Sequence, residues 1–352
     1  MIEDNILEQG WPFVSVIIVN YNGRIWLEKF LDSVLHCRYP QNRFEIILVD
    51  NGSHDGSIEY VKNKCEKNSK MKIVSIKENV GWARAVNLGF KKARGEVLVH
   101  ISSDVQVSSE WLQELVKAIK SDPAIAIAQC NSISYFDRHS IDSGMNFIDK
   151  YGFSYSFASP NKDPQEVFFA EALAFGIRRS VLKLIGLFDE NYYMEYDDQD
   201  ICWRAHLAGF KVVFVPTAVV YHVRGGSVGR SLFESFPTRY LYSRNQIITM
   251  IKNYELKNLV TTIPVTVSIA STKIIYSIII GKSIFALSTL RGLLTILKFF
   301  KPIFLERKRI QEKVRKVPDS EVLRKMTRFN LSAQILFLEL QARRKRLIMS
   351  GI

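Results

Sequence analysis

Four carboxylates fall within six residues of one segment: Glu195, Asp197, Asp198 and Asp200. They stand just before a helical pattern of Ile201, Trp203 and Leu207 that stops at Gly209. Holding that much negative charge together costs free energy unless a cation, a substrate proton or hydrogen bonds compensate it. Asp197 and Asp198 lie near the positive end of the expected helix, which favours the ionised form that a carboxylate base needs. The same position also suits a helix cap. Further along, two short β-branched runs end at His222, where the histidine is either structural or a ligand to a metal held by nearby carboxylates.

The other residues suited to chemistry sit in polar punctuations of the first hundred or so positions. Asn20, Tyr21 and Asn22 follow one apolar run, Asp50-Asn51-Gly52-Ser53 a second, and Ser102-Ser103-Asp104 a later one. Asp50 can accept hydrogen bonds from a base or ribose, or simply belong to a strand–turn–helix connection. Asp104 suits a hard cation carrying a diphosphate, for which one or two carboxylates suffice, or else a helix cap. Asn79 and Gly81 stand at a helix start, where backbone N–H groups suit a nucleotide or its phosphates. Arg84, one turn on, is a phosphate contact or a solvated charge. Neither GxGxxG nor GxxxxGK[ST] occurs, which argues against dehydrogenases and P-loop enzymes.

These residues need a scaffold, and the hydrophobic pattern supplies one. Buried strands are expected at Val14–Asn20, Phe44–Val49, Lys72–Ile76, Val97–Ile101 and a short Ile125–Ala128. Helices are expected at Arg24–Cys37, Ser57–Lys67, Trp82–Lys92 and Trp111–Ile119. Alternation at that spacing predicts a parallel sheet with helices on both faces, and ligands beyond the carboxyl ends of the strands.

The 352 residues leave room for an appendage to such a domain, and an apolar content of 47% is ample for a core. Cys37, Cys65, Cys130 and Cys202 form no CxxC pair and read as reduced thiols. The first residues, MIEDNILEQGW, carry no basic flank or apolar run of a signal peptide. Of the net charge of +13, residues 282–352 contribute most, with 17 Lys and Arg against 5 Asp and Glu. The tail thus reads as a separate polybasic object. Nucleic acid is not its expected partner, because apolar segments are interleaved with the charge. Residues 259–280 carry one charge, Lys273, and are long enough to span a bilayer, although Pro264 and a polar line through Thr262, Thr266, Lys273 and Ser277 interrupt them. Residues 283–300 read as an interfacial helix, followed by the basic cluster from Arg307 to Lys316. Residues 256–316 are therefore expected to meet a membrane surface, as a peripheral or single-span element at its cytoplasmic face.

Together SVIIVNYNG, EIILVDNGSHDGS, ENVGWARAVNLG, the Asp104 turn and GLFDENYYMEYDDQDICWRAHLAGFKVVFVPTAVVYH, in that order between Val14 and Arg244, resemble the family 2 glycosyltransferases. Within that family they look like its rhamnosyltransferase-like branch. The resemblance implies an inverting enzyme of GT-A fold: a single Rossmann-like α/β domain over residues 1–250, with a C-terminal helical membrane-associated region over 251–352. It implies a nucleotide-diphosphate sugar as donor, held by Asn20, Tyr21, Asn22, Asp50, Asn79, Gly81 and Arg84. It further implies Mg²⁺ or Mn²⁺ on Asp104, with His222 as a second ligand, and Asp198 as general base. Glu195 and Asp200 orient the helix start or the acceptor. The acceptor is expected to be a lipid-linked glycan or glycolipid. Ser102 stands where the family's DxD motif has its first Asp, leaving Asp104 to carry the metal contact nearly alone. The QxxRW element of processive relatives is absent, which favours single addition. Two alternatives remain: a polyprenyl-phosphate sugar synthase and a non-catalytic sugar-nucleotide-binding protein.

Overall fold

A computed structural model describes residues 10–159, 161–224 and 236–330. The first nine residues, read above for a signal peptide, and the last part of the basic tail lie outside the described residues.

The chain runs β1 (Val14–Asn20), α1 (Arg24–Leu35), β2 (Phe44–Asn51), α2 (Ser57–Glu66), β3 (Met71–Ile76), α3 (Trp82–Lys92), β4 (Val97–Ser102), β5 (Val105–Val107) and α4 (Trp111–Ser121). It continues through β6 (Ile125–Ser134), β7 (Ile141–Ser143), β8 (Met145–Ile148), β9 (Ser154–Phe157), β10 (Gln165–Val167), β11 (Ala174–Arg178), α5 (Arg179–Ile185), α6 (Asp197–Leu207) and β12 (Lys211–His222). The described C-terminal part holds α7 (Phe236–Asn253), α8 (Leu256–Ile279), α9 (Ser283–Thr295), α10 (Phe300–Arg309) and α11 (Asp319–Arg324).

The strands form a ten-stranded sheet along the path β10-β12-β6-β11-β4-β1-β2-β3, with β5 paired to β12 and β7 to β6. β1, β2, β3 and β4 run parallel, β6 and β12 run parallel to each other, and β11 lies antiparallel between the two groups. The expected mostly parallel α/β architecture is thus the one observed. The runs VSVIIVN and FEIILVDN form the centre because nearly every side chain in them is buried, which only a strand covered on both faces permits.

Two elements are longer than their apolar runs. β6 continues past Ala128 to Ser134 because β12 pairs along its whole length, from Lys211↔Ile125 to His222↔Ser134. The two β-branched runs before His222 are one strand, irregular between Val215 and Val219 around Pro216, a place where a ladder tolerates proline.

The described part of the basic tail is not a separate object. Ile310, Val314 and Val322 are buried in the main core beside Trp203 and Leu207. The backbone amides of Lys316 and Val317 both donate to the Leu207 carbonyl, at 2.7 and 3.2 Å. Net charge misled because it does not register apolar residues at helical spacing between the basic ones.

Candidate active site

β1, β2 and β4 deliver their last residues to one rim of the sheet. Asn20 and Asp50 are register partners, and Asn20 Nδ2 donates to Asp50 Oδ1 and to Ser53 Oγ, each at 3.1 Å. Asp50 Oδ2 accepts from the Ser53 amide at 3.0 Å. Asp50 is fully buried, so its first task is to bind two strand ends together; a carboxylate with two such bonds keeps lone pairs for a ligand. Asn20 Oδ1 and Ser103 Oγ are buried without a hydrogen-bond partner among the described residues. Both flank Gly23, where an added Cβ would come within 2.5 and 2.9 Å of them. Buried polar atoms left without protein partners call for a water, an ion or a polar ligand, and at a strand-end rim they suit a ligand. Asn22 adopts left-handed φ (50°), and its Oδ1 accepts from the His54 amide at 2.8 Å. Tyr21 is half-buried beside it.

The Asn79–Gly81 turn lies on the same rim, with two of its amides already used. Val80 N–H donates to Asn51 Oδ1, Gly81 N–H to Asn79 Oδ1 and Trp82 N–H to the Tyr193 carbonyl, each at 3.0 Å. These three N–H groups are thus taken within the protein rather than left for phosphates, because Asn51 and Asn79 cap the turn. Gly81 has φ 87°, and a Cβ there would strike the Tyr193 ring at 2.5 Å. Only glycine admits Tyr193, which joins this turn to the acidic segment. Arg84 is exposed and lies 3.6 Å from Glu190.

β5 explains how Asp104 meets His222 across more than a hundred residues. It pairs antiparallel with the end of β12, in register His222↔Val105, so Asp104 stands next to the histidine. His222 Nε2 lies 3.5 Å from Asp104 Oδ2, and its Nδ1 is 2.7 Å from Asp142 Oδ2. Arg224 Nε holds the other Asp142 oxygen at 2.7 Å. Burial works to lower the His222 pKa, yet the Asp104 and Asp142 carboxylates outweigh it and push it up to about 9, so a cation bound at Nε2 would have to displace a proton. A separation of 3.5 Å is long for a hydrogen bond but close to that of two ligands on one hard cation. Asp104 and His222 thus suit a divalent ion, with Asp142 fixing the imidazole as an outer carboxylate does in metal sites. Among the described residues no group of three or more His, Cys, Asp or Glu converges on a metal position. Further ligands would come from a diphosphate and water.

Of the four acidic residues only Glu195 precedes the helix; Asp197, Asp198 and Asp200 form the first turn of α6. Asp198 Oδ2 accepts from the Ala172 amide at 3.2 Å and Oδ1 from the Gln199 amide at 2.9 Å. Despite those bonds and the helix terminus, burial raises the Asp198 pKa well above the usual carboxylate range, with Asp197 and Glu171 adding to the rise. Asp197 is raised too, first by burial. Glu195 is pushed up to about 7 by burial, then by Asp198 and Glu171. Desolvation and mutual repulsion thus oppose the helix terminus, which by itself favours the ionised form. Asp200 goes the other way. Burial would raise it, but Lys252 and Arg204, at 3.0 and 2.9 Å, hold it below its ordinary value. It is a buried structural anchor.

Residues 15–186 match the family model described as Glycosyl transferase family 2. The chain carries a glycosyltransferase family 2 domain over that span. It is 25% identical over 211 residues to "Glycosyltransferase AglE" of Haloferax volcanii, covering 60% of this chain and 67% of that protein. Over 106 residues it is 35% identical to an undecaprenyl-phosphate 4-deoxy-4-formamido-L-arabinose transferase of Pseudomonas savastanoi pv. phaseolicola, covering 30% of this chain and 32% of that protein. The solved structure of GalNAc-T7 with UDP, GalNAc and Mn2+ superposes with a TM-score of 0.59 at 21% identity, over 70% of this chain and 49% of that one, a likeness of fold. The chain thus spans from about a third to two thirds of the length of these curated relatives.

Three contributors to this family 2 site were not legible in sequence. Asp142 lies in the stretch from Asn131 to Glu171 that shows no motif. Glu171 feels Asp142, His222 and Arg224 on one side and influences Asp198 and Glu195 on the other. Tyr193 sits inside the acidic segment, where the carboxylates drew all notice.

The raised carboxylates carry a stability consequence. A group whose folded pKa exceeds its unfolded value stabilises the fold at low pH, and that contribution is lost as pH rises through the folded value. Without divalent cation or nucleotide, the thermal midpoint should therefore fall between pH 5 and pH 8. Glu195→Gln should flatten that slope, which scanning calorimetry at four pH values will measure.

Proposed function

We propose that the protein transfers a sugar from a nucleotide-diphosphate donor to a hydroxyl of a lipid-linked glycan or glycolipid, with inversion, at the cytoplasmic face of a membrane. The observation that carries this reading is the grouping on one rim of a strand-end cradle (Asn20, Asp50, Ser53), a cation-suited pair (Asp104, His222) and a raised carboxylate (Asp198) linked to that pair through Glu171. Asn20, Tyr21, Asn22, Asp50 and Asn79 would hold the nucleotide, with Gly81 giving Tyr193 access. Arg84 would serve the diphosphate only after leaving Glu190. Asp104 and His222 would hold Mg²⁺ or Mn²⁺. When bound, the ion supplies charge neutralisation for the departing diphosphate. Asp198 would accept the proton of the acceptor hydroxyl as it attacks the anomeric carbon from the face opposite the leaving group. A pKa raised by burial makes its ionised form a stronger base. Thermal-shift screening of sugar nucleotides with and without Mn²⁺, followed by transfer assays with the best donor, tests the reading. Ligand-independent stability across the whole panel would refute it.

The membrane part of the proposal rests on which faces α8 and α9 bury. By length and composition Leu256–Ile279 and Ser283–Val314 are long and apolar enough to cross a membrane, yet only 17% of each apolar window is buried. What they bury is polar or small: Thr262, Thr266 and Ser277 in α8, Ala286, Ser288 and Gly292 in α9. The Lys273 ammonium also turns inward, 4.2 Å over the Phe153 ring. What they expose is aliphatic, with Ile275 at 59% and Leu294 at 60%, and Leu297 and Phe300 just beyond α9 are exposed too, at 75% and 70%. That is the reverse of a water-facing helix and fits lipid contact. The division into a domain over residues 1–250 and a membrane-associated region over 251–352 belongs to this proposal; helix α7 runs through that boundary.

Each apolar side chain fully withdrawn from water is worth about 1.5–3 kcal/mol. The triple substitution Leu294→Gln, Leu297→Gln, Phe300→Gln should therefore weaken co-sedimentation with anionic phospholipid vesicles more than about tenfold. Unchanged sedimentation would remove α9 and α10 from the lipid-facing surface.

A further inference from the structure

The segment from Asn191 to Tyr196, which leads into the carboxylates of α6, follows a course that its residues do not favour. Tyr193, Glu195 and Tyr196 all have left-handed φ, at 66°, 68° and 65°. Left-handed φ is uncommon for non-glycine residues, and such strain persists only where the surroundings over-determine it. Among these residues it turns successive carbonyls toward one neighbour, helix α7.

Two adjacent side chains of α7 receive them. Asn245, fully buried, donates through Nδ2 to the carbonyls of Tyr192, Met194 and Glu195 at 3.2, 2.9 and 2.8 Å. Arg244 donates through Nη2 to the carbonyls of Asn191 and Tyr192 at 2.8 and 3.1 Å. Arg244 Nε also donates to Asn245 Oδ1 at 2.8 Å, which fixes the amide so that its NH₂ end must face the segment. Buried carbonyls without donors are costly, so removing these groups releases the segment from its course. The turn of α7 that carries them is itself bedded on α9: a Cβ added at Gly292 would lie 2.8 Å from the Tyr240 carbonyl oxygen and 3.2 Å from the Arg244 amide nitrogen.

We propose that Arg244 and Asn245 are positioning residues for the reaction: they hold residues 191–196 in the left-handed course that places Asp198 at the donor rim. This rests on the reading of Asp198 as base. Among the described residues, the cradle of Asn20, Asp50 and Ser53 makes no contact with this segment, which reaches the donor rim only through Tyr193 against Gly81, so loss of the clamp should cost turnover more than nucleotide affinity.

Asn245→Asp tests this with almost no change in volume, because a carboxylate can only accept and would face three carbonyls. Arg244→Lys is the gentler second variant, keeping charge and donors but losing the bond that orients Asn245. Hydrogen exchange of residues 191–198, read by mass spectrometry on the full-length protein, should rise at least tenfold in Asn245→Asp and by less in Arg244→Lys. Affinity for UDP or GDP with Mn²⁺, whichever the wild type binds, should stay within threefold, while kcat falls at least about thirtyfold in the first variant. Unchanged exchange in both variants would overturn the proposal. So would a loss of nucleotide affinity equal to the loss in kcat. The exchange measurement needs no turnover, so the clamp is tested even if Asp198 proves not to be the base.

Discussion

Asp198→Asn is expected to lower kcat for transfer to a hydroxyl acceptor by about 10²–10⁴-fold, the range of a positioned general base. Donor affinity should remain near wild type, because the cradle of Asn20, Asp50 and Ser53 makes no contact through Asp198. The substitution is nearly isosteric, and the amide oxygen can keep one of the bonds that Ala172 and Gln199 now donate. A second effect has the opposite sign. Burial and the neighbouring Asp197 and Glu171 charges raise Asp198, so its ionised form is a cost to the folded state that grows as pH rises. The amide carries no such cost, and the variant should be more stable than wild type at pH 8. Loss of activity with a gain in stability separates a chemical role from a structural one. Retained turnover would favour a phosphate acceptor, which needs no strong base, as in a polyprenyl-phosphate sugar synthase.

The second large effect concerns Asp104. Asp104→Ala should reduce kcat/KM by at least about 10²–10³-fold, since neutralising a leaving diphosphate is worth several kcal/mol and each 1.36 kcal/mol is tenfold. It should also weaken Mn²⁺ binding in the presence of nucleotide by a similar factor, measured by calorimetry. His222→Ala should cost less, because a diphosphate oxygen or water can take its place in the shell. Equal Mn²⁺ affinity in Asp104→Ala and wild type would remove Asp104 from the cation site.

The strands of the nucleotide-binding half were legible because a buried parallel strand must be apolar on both faces, and VSVIIVN and FEIILVDN have no other use. The rim residues Asn20, Asp50 and Asp104 were legible for the same reason, as polar residues placed where such strands end. Glu195 to Asp200 stood out by charge density alone.

What the sequence could not decide is which charges survive burial and which distant residues share a wall. Asp197, Asp198 and Asp200 are alike in composition, yet Asp200 meets Lys252 and Arg204 and is held low, while its neighbours meet other carboxylates and are driven up. That outcome depends on α7, far along the chain. The approach of Asp142 to His222 depends on the antiparallel pairing of β5 and β7 with the ends of β12 and β6. The polar stripe of α8 likewise reads as a weakness in a membrane segment until the fold turns it inward. Local pattern reports what a segment must bury; only the tertiary structure decides against what, and that sets the electrostatics of the site.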